Sequence, residues 1–538
     1  MNGLKISDRR PPIPGGGPQS VAEVLDLGLR DPDREALVAR HGRLTYGELD
    51  AQVDRAAGAL RGWGLRPGDR VAASLGNHLE LAVAFLAAMR LGALWVGVNK
   101  ALAPPEVAYL LGDAGASLFL GDRGVIAAVA GMRDVLPELR AIVDCEPGDT
   151  GSEWAAAVAA ASPAPRPPVD PFGPAAIAYT SGTTGRPKGV VHSQHNLLLP
   201  GAVGATRSAD PDARTGVCLP LTILNLVVLG PLVAFQSGRP CVLMDRVDAV
   251  GIASWVRDER ITSFAAVPTM IHDLLTHPEL AADDLASLTR PGVGGAAMPE
   301  SFRELYRDRF GTRVTTGYGL TEAPTSVTQE DPSLPPVERS CGRALPQVRI
   351  TIREPDGREL PAGSVGEVCV EAAPNGPFAG AYTPMLGYWR RPDATAEALH
   401  GEVLRTGDLG FLSPDGDLFV TDRKNDLILR GGANVYPAEV ERVLQEVDGV
   451  AGSAVLGVPD ERLGERVVAA VELAPGASVT ERDLLDRCAA SLARYKVPER
   501  IVFVDGLPRN AMGKVVKREV RALVAPASAP ASAGGAAR

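Results

Sequence analysis

Apolar residues along the first 150 positions alternate between two spacings. Behind Thr45-Tyr46-Gly47-Glu48, which has capping-box spacing, Leu49, Val53, Ala56, Ala57 and Leu60 fall on one helical face, and Gly62 and Gly64 end that helix. Arg70 to Leu75 then reads as a strand, Asn77 to Arg90 as a capped helix stopping near Gly92, and Ala93 to Val98 as a second strand. A helix opening at Pro104 leads to strands at Ser117 to Leu120 and Leu139 to Val143. Helices alternating with short apolar strands predict an α/β fold, with parallel sheets covered by helices on both faces.

Ala157 to Pro171 is rich in Ala and Pro and reads as a linker before a strand at Ala175 to Thr180. A second alternating region runs to about residue 340. Turn signals at Pro355-Asp356-Gly357 and Pro414-Asp415-Gly416 predict a β-rich subdomain ending near residue 422. The last hundred residues mix a helix at Ala438 to Gln445 with strands at Val467 to Leu473 and Ile501 to Val504, an α+β pattern. The expected organisation is a large domain over 1–422, a small one over 423–524 and a disordered Ala/Pro/Ser/Gly tail over 525–538.

Composition narrows the function. A chain of 538 residues exceeds a single ordinary core, and 45% hydrophobic with 22% charged residues fits a folded protein. The net charge of −10 argues against a general nucleic-acid binder, which needs a basic face, yet leaves room for a local nucleotide site. Six scattered cysteines without a C-x-x-C pair speak against a disulfide framework or zinc site. His192 and His195 read as loop residues rather than ligands. Met1 to Arg10 is polar and charged, unlike a signal peptide. The most apolar stretch, Leu221 to Phe235, is short for a span and holds Asn225 and Pro231, so it reads as buried core. Stable membrane insertion is therefore not expected, and the expected compartment is the cytoplasm.

The chemistry concentrates in Tyr179-Thr180-Ser181-Gly182-Thr183-Thr184-Gly185-Arg186-Pro187-Lys188-Gly189. Glycines let the backbone turn and present N–H groups, while hydroxyls and the Lys188 ammonium add donors, a combination suited to polyphosphate after a strand. No G-K-[ST] follows, so this is not a Walker loop.

This loop resembles the signature of the adenylate-forming enzymes, a family that includes acyl-CoA synthetases, luciferases and peptide-synthetase adenylation domains. Further elements resemble the family in order from about residue 20 to 520. The resemblance implies a large adenylation domain, a small mobile C-terminal domain, ATP, Mg²⁺ and coenzyme A as cofactors, and a small carboxylic acid as substrate. It assigns ATP to Thr180, Ser181, Gly182, Thr183, Thr184, Gly185 and Lys188, and the adenine to Gly295, Ala296, Ala297 and Tyr318. Thr321 would meet the α-phosphate and Glu322 would hold Mg²⁺, a hard oxygen for a hard cation. Asp408 and Arg423 would clamp the ribose, and Asn425, where many relatives place Asp or Lys, would be the hinge. Gly431 and Gly432 would line a pantetheine tunnel, and Lys514 would be the adenylation lysine.

The acyl pocket falls, by the same resemblance, to Ile223, Gly294, Gly317 and Gly319. Pro220-Leu221 is followed by Thr222-Ile223-Leu224-Asn225 where the family often has an aromatic or His. Acetate users place Trp where Gly319 stands, and malonate users place Arg at Gly317, so an apolar acyl or aryl acid longer than acetate is expected. No carrier domain follows residue 520, which favours coenzyme A as acceptor. A carrier protein acting in trans, an amine or oxygen remain alternative acceptors, and a catalytically silent binding protein is the alternative from another class.

Overall fold

The computed structural model describes residues 3–180, 187–207, 210–294, 300–423, 426–430, 433–460, 463–492, 494–510 and 513–524. It divides into two compact units. Residues 1–406 and 410–420 form the first; residues 407–409 and everything from 421 group with the second.

Two seven-stranded sheets build most of the first unit. One runs in the order Gly387–Tyr388, Lys188–Ser193, Pro174–Thr180, Leu94–Gly97, Arg70–Ser74, Leu118–Gly121, Ala141–Asp144. Its neighbours are parallel from Pro174–Thr180 through Ala141–Asp144, while Lys188–Ser193 returns antiparallel and takes Gly387–Tyr388 as an antiparallel edge. The strands are short and buried, as expected where helices cover both faces. The Thr45 hydroxyl accepts from Glu48 N at 3.2 Å and the Glu48 carboxylate from Thr45 N at 2.9 Å, so the capping box starts the helix Tyr46–Gly62. That helix packs on Leu79–Leu91, where buried Arg90 meets Asp50 and Asp54.

The other sheet runs Thr315–Thr316, Arg290–Val293, Ser263–Ala266, Thr215–Val217, Cys241–Leu243, Glu35–Ala39, Gly42–Thr45. The early hairpin Glu35–Thr45 therefore joins strands more than 170 residues downstream, a pairing that local periodicity cannot reveal. The apolar run after Leu221 is helical from Leu224 to Phe235 with one π turn at Val228–Leu232, and most of it is buried. Part of the expected linker is helical as well, since Glu153–Ala160 forms a helix capped by Ser152. A smaller sheet of Val348–Arg353, Gly366–Ala372, Val403–Leu412 and Leu399–His400, with Leu418–Arg423 paired to Val403–Leu412, supplies the β-rich region.

In the second unit Gly464–Leu473 is central. It pairs antiparallel with Val450–Asp460 and parallel with Arg500–Val504. Helices Pro437–Gln445 and Glu481–Ser491 bury Val440, Val443, Leu444, Leu484 and Cys488 in one core, while Val520 and Val524 of Lys517–Val524 enter another.

Candidate active site

Thr180 closes the strand Pro174–Thr180, Gly294 follows Arg290–Val293 and Gly317 follows Thr315–Thr316. The last two strands are parallel neighbours with Val293 opposite Thr316. These are carboxyl ends of sheet strands, where open α/β folds receive ligands.

Beyond Gly317 the backbone is held firmly. Tyr318 N donates to Thr328 Oγ1 at 3.1 Å, and its carbonyl accepts from Val327 N at 2.9 Å and Thr328 N at 3.1 Å. Gly319–Leu320 then pairs antiparallel with Thr325–Ser326, which sets Thr321, Glu322, Ala323 and Pro324 at the hairpin tip. A Cβ on Gly319 would lie 2.2 Å from the Thr325 carbonyl oxygen. Glycine is thus demanded here by strand-to-strand approach, and a side chain would face backbone. Buried Thr325 has φ +86, a strained value for a β-branched residue.

The hairpin tip meets the strand Lys188–Ser193. The Lys188 ammonium lies 5.2 Å from the ring centroid of Tyr388, and the Tyr388 hydroxyl donates to Glu322 Oε1 at 2.9 Å. His192 Nε2 approaches the Thr321 carbonyl at 2.6 Å. A carbonyl only accepts, so Nε2 carries the proton. Complete burial holds the His192 imidazole down to about 4, hence neutral at pH 7. His192 is thus a strand residue, and His195, expected in a loop, lies in the helix Gln194–Ala205. His195 Nε2 reaches the Ala381 carbonyl at 2.8 Å, and Asn196 Nδ2 donates to the Thr383 carbonyl at 2.6 Å. One short run therefore ties the signature strand to the tip and to the segment before Tyr388.

The segment Val217–Leu221, which leads to Ile223, is fixed by a residue to which sequence reasoning gave no such role. Asn77, nearly buried, directs Nδ2 to the carbonyls of Val217, Leu219 and Met244 at 3.0–3.1 Å and accepts from Leu221 N at 2.9 Å. Ile223 follows, half-buried, at the N-cap of Leu224–Val227. A Cβ on Gly97 would lie 2.0 Å from the Thr222 carbonyl oxygen, so glycine admits this close pass.

Against the strand Thr315–Thr316 lies a buried ion pair. Arg303 Nη2 donates to both oxygens of Glu330 at 2.9 and 2.8 Å, and Glu330 Oε2 accepts from Thr316 N at 2.9 Å. On an exposed-looking helix, Glu300–Phe310, nothing local marks Arg303 as buried. A Cβ on Gly317 would lie 2.7 Å from the Thr328 carbonyl oxygen, close against the strand Thr328–Gln329 that leads to Glu330.

In the second unit Asp408 is buried beside Gly407, whose φ is +73. The backbone of Arg423 ends the strand Leu418–Arg423. Lys514 is exposed on a tight hairpin. Its N–H donates to Asn510 Oδ1 at 3.0 Å, and its carbonyl accepts from Asn510 N at 2.8 Å. Ser181, Gly182, Thr183, Thr184, Gly185, Gly295, Ala296, Ala297, Asn425, Gly431, Gly432 and the tail 525–538 lie outside the described residues.

Parallel-strand ends, a glycine-rich signature loop and a lysine and carboxylate converging on one tyrosine define a nucleotide-using enzyme. The AMP-binding enzyme model matches residues 28–389, and the AMP-binding enzyme C-terminal domain matches residues 439–514. The chain belongs to this family, the adenylate-forming enzymes. It is 34% identical over 490 residues to the long-chain-fatty-acid–CoA ligase FadD13 of Mycobacterium tuberculosis, covering 89% of this chain and 93% of that protein. It is 36% identical over 504 residues to the fatty acid–[acyl-carrier-protein] ligase ScoC of Streptomyces coeruleorubidus, covering 91% and 93%. The crystal structure of ATP-bound MatB from Rhodopseudomonas palustris superposes with a TM-score of 0.84 at 30% identity, over 93% of this chain and 98% of that one. The protein is an AMP-forming acid–thiol ligase that uses ATP.

Proposed function

We propose that this ligase activates an apolar acyl or aryl acid longer than acetate and passes it from the acyl-adenylate to coenzyme A. The observation that supports its catalytic layout is the meeting of Lys188, Tyr388 and Glu322 beside Thr321. In this reading the substrate carboxylate attacks the ATP α-phosphate in line and pyrophosphate leaves. Lys188 and the 180–188 loop carry donors toward the phosphates, Thr321 toward the α-phosphate, and Tyr318 offers a flat face to the adenine. Asp408 and Arg423 hold the ribose, and Lys514 brings its ammonium to the reacting oxygens.

Glu322 suits Mg²⁺. Oε1 is pinned by Tyr388 while Oε2 has no hydrogen-bond partner among the described residues. No cluster of three or more His, Cys, Asp or Glu among the described residues could hold a metal, so phosphates and water would complete the shell. The ion supplies charge neutralisation on the phosphates. In the second step the small domain turns about Asn425, Lys514 withdraws and Gly431 and Gly432 line the thiol's approach. A thiol with an ordinary pKa near ~8.5 is nucleophilic enough to displace AMP from an activated carbonyl.

Similarity to ScoC supports a second reading, in which a carrier-protein thiol is the acceptor. No helix among the described residues is long and apolar enough to cross a membrane, and the reading assigns the reaction to the cytoplasm, where ATP and coenzyme A are supplied. The test is pyrophosphate release across a panel of acids, with and without coenzyme A or a phosphopantetheinylated carrier protein. No pyrophosphate release with any acid of the panel would return the chain to a silent binding role. Thioester formed only on the carrier would replace coenzyme A as acceptor.

A further inference from the structure

Lys188 and Glu322 carry opposite charges at one site, yet they form no ion pair with each other. The Tyr388 ring stands between them. Its face meets the Lys188 ammonium at 5.2 Å from the centroid, and its hydroxyl reaches Glu322 Oε1 at 2.9 Å. Two elements fix the Tyr388 backbone. Gly387 and Tyr388 pair antiparallel with Val191 and Val190 of the signature strand, and Tyr388 N donates to the buried Thr395 Oγ1 at 2.9 Å.

We infer that Tyr388 is a positioning residue that keeps Lys188 and Glu322 from neutralising one another and aims the carboxylate at the metal of the ATP complex. The inference rests on the proposed reading of Glu322. A carboxylate held through one oxygen presents the other at a fixed angle, and groups that orient metal ligands govern affinity for the ion. A lysine over an aromatic face keeps its charge while its excursions narrow. Without the ring, lysine and glutamate would lose the group that each of them contacts. The ammonium would then be lost to the phosphates and the carboxylate to the cation.

The experiment titrates Mn²⁺ into the protein saturated with α,β-methylene ATP, whose blocked α–β bond prevents adenylation, and follows the free ion by electron paramagnetic resonance. Affinity for the analogue in excess EDTA is measured alongside. Tyr388→Phe keeps the ring but not the hydroxyl. It should weaken Mn²⁺ binding by about tenfold to a hundredfold while analogue affinity in EDTA holds. Tyr388→Leu should weaken both, because Lys188 is also released. Thr395→Val loosens the edge strand without touching the hydroxyl, and should cost less Mn²⁺ affinity than Tyr388→Phe. A loss in Thr395→Val equal to that in Tyr388→Phe would overturn the assignment to the hydroxyl. If Glu322→Gln loses Mn²⁺ and Tyr388→Phe does not, the inference fails and the reading of Glu322 stands. If Glu322→Gln binds Mn²⁺ normally, that reading fails and takes the inference with it.

Discussion

Replacing Glu330 by Ala should damage stability and nucleotide binding together. Arg303 and Glu330 are 4% and 5% exposed, and removing one partner of such a pair leaves an uncompensated buried charge, typically at about 3–5 kcal/mol. Glu300 sits 3.2 Å from Arg303 and retains part of its compensation, which favours the lower end. Half-buried Thr316 N loses its acceptor as well, adding about 1 kcal/mol at the low end for an unsatisfied donor. For a unit of roughly 400 residues at about 2.1 cal/mol/K per residue, a loss of about 4 kcal/mol lowers Tm by about 5 °C. Differential scanning fluorimetry at fixed scan rate measures this, and fluorescence titration with ATP reports the site. Thr316 precedes Gly317 and Tyr318, so the ATP Kd should rise with the fall in Tm. The double variant R303M/E330M, which removes that pair, should regain part of the stability, since Arg313, 3.4 Å from Glu330 and 19% exposed, loses its partner in either variant. A double variant no more stable than Glu330→Ala alone would refute the reasoning, because the loss would then not come from a stranded arginine.

Three further outcomes are expected. His192 has its pKa lowered from 6.5 to about 4 by burial, so below pH 6.5 the unfolded chain takes up a proton that the fold refuses. Stability should fall by up to about 3 kcal/mol between pH 6.5 and 4 and then level off, and His192→Asn should flatten that limb in urea titrations against pH. Gly319→Ala should open the hairpin, since its Cβ would lie 2.2 Å from the Thr325 carbonyl oxygen; ATP–pyrophosphate exchange should collapse for every acid alike, and a mere change in acid preference would contradict this. Lys514→Ala should cut adenylation by about 10²–10³ while thioester synthesis from supplied acyl-AMP persists, as the two half-reactions assayed separately will show.

The capping box at Thr45, the alternating elements of the first 150 residues and the signature loop were legible because each signal is local. Tyr388 was not. It sits in a two-residue edge strand with no periodicity to read, and its partner Glu322 is 66 residues away. Arg303 shows the opposite failure, since a helix with Glu300, Glu304, Arg307 and Arg309 reads as solvated, and only the fold puts Glu330 against its inner face. His192 lies in a polar-looking run, His-Ser-Gln-His-Asn, whose five side chains are all buried because each finds a partner elsewhere in the chain or in its own cap. Gly319 was read by analogy as space for substrate; its close approach to the Thr325 carbonyl, 2.2 Å from where a Cβ would lie, is a pairing that sequence alone does not show.

Asn77 grips the Val217–Leu221 segment by main-chain atoms alone. A loop steered by its carbonyls and one N–H keeps its course whatever side chains it bears. Half-buried Ile223 can therefore change more freely than its neighbours Leu221, Thr222 and Leu224, which are buried. Asn77 is the side chain whose loss would release four main-chain hydrogen bonds at once.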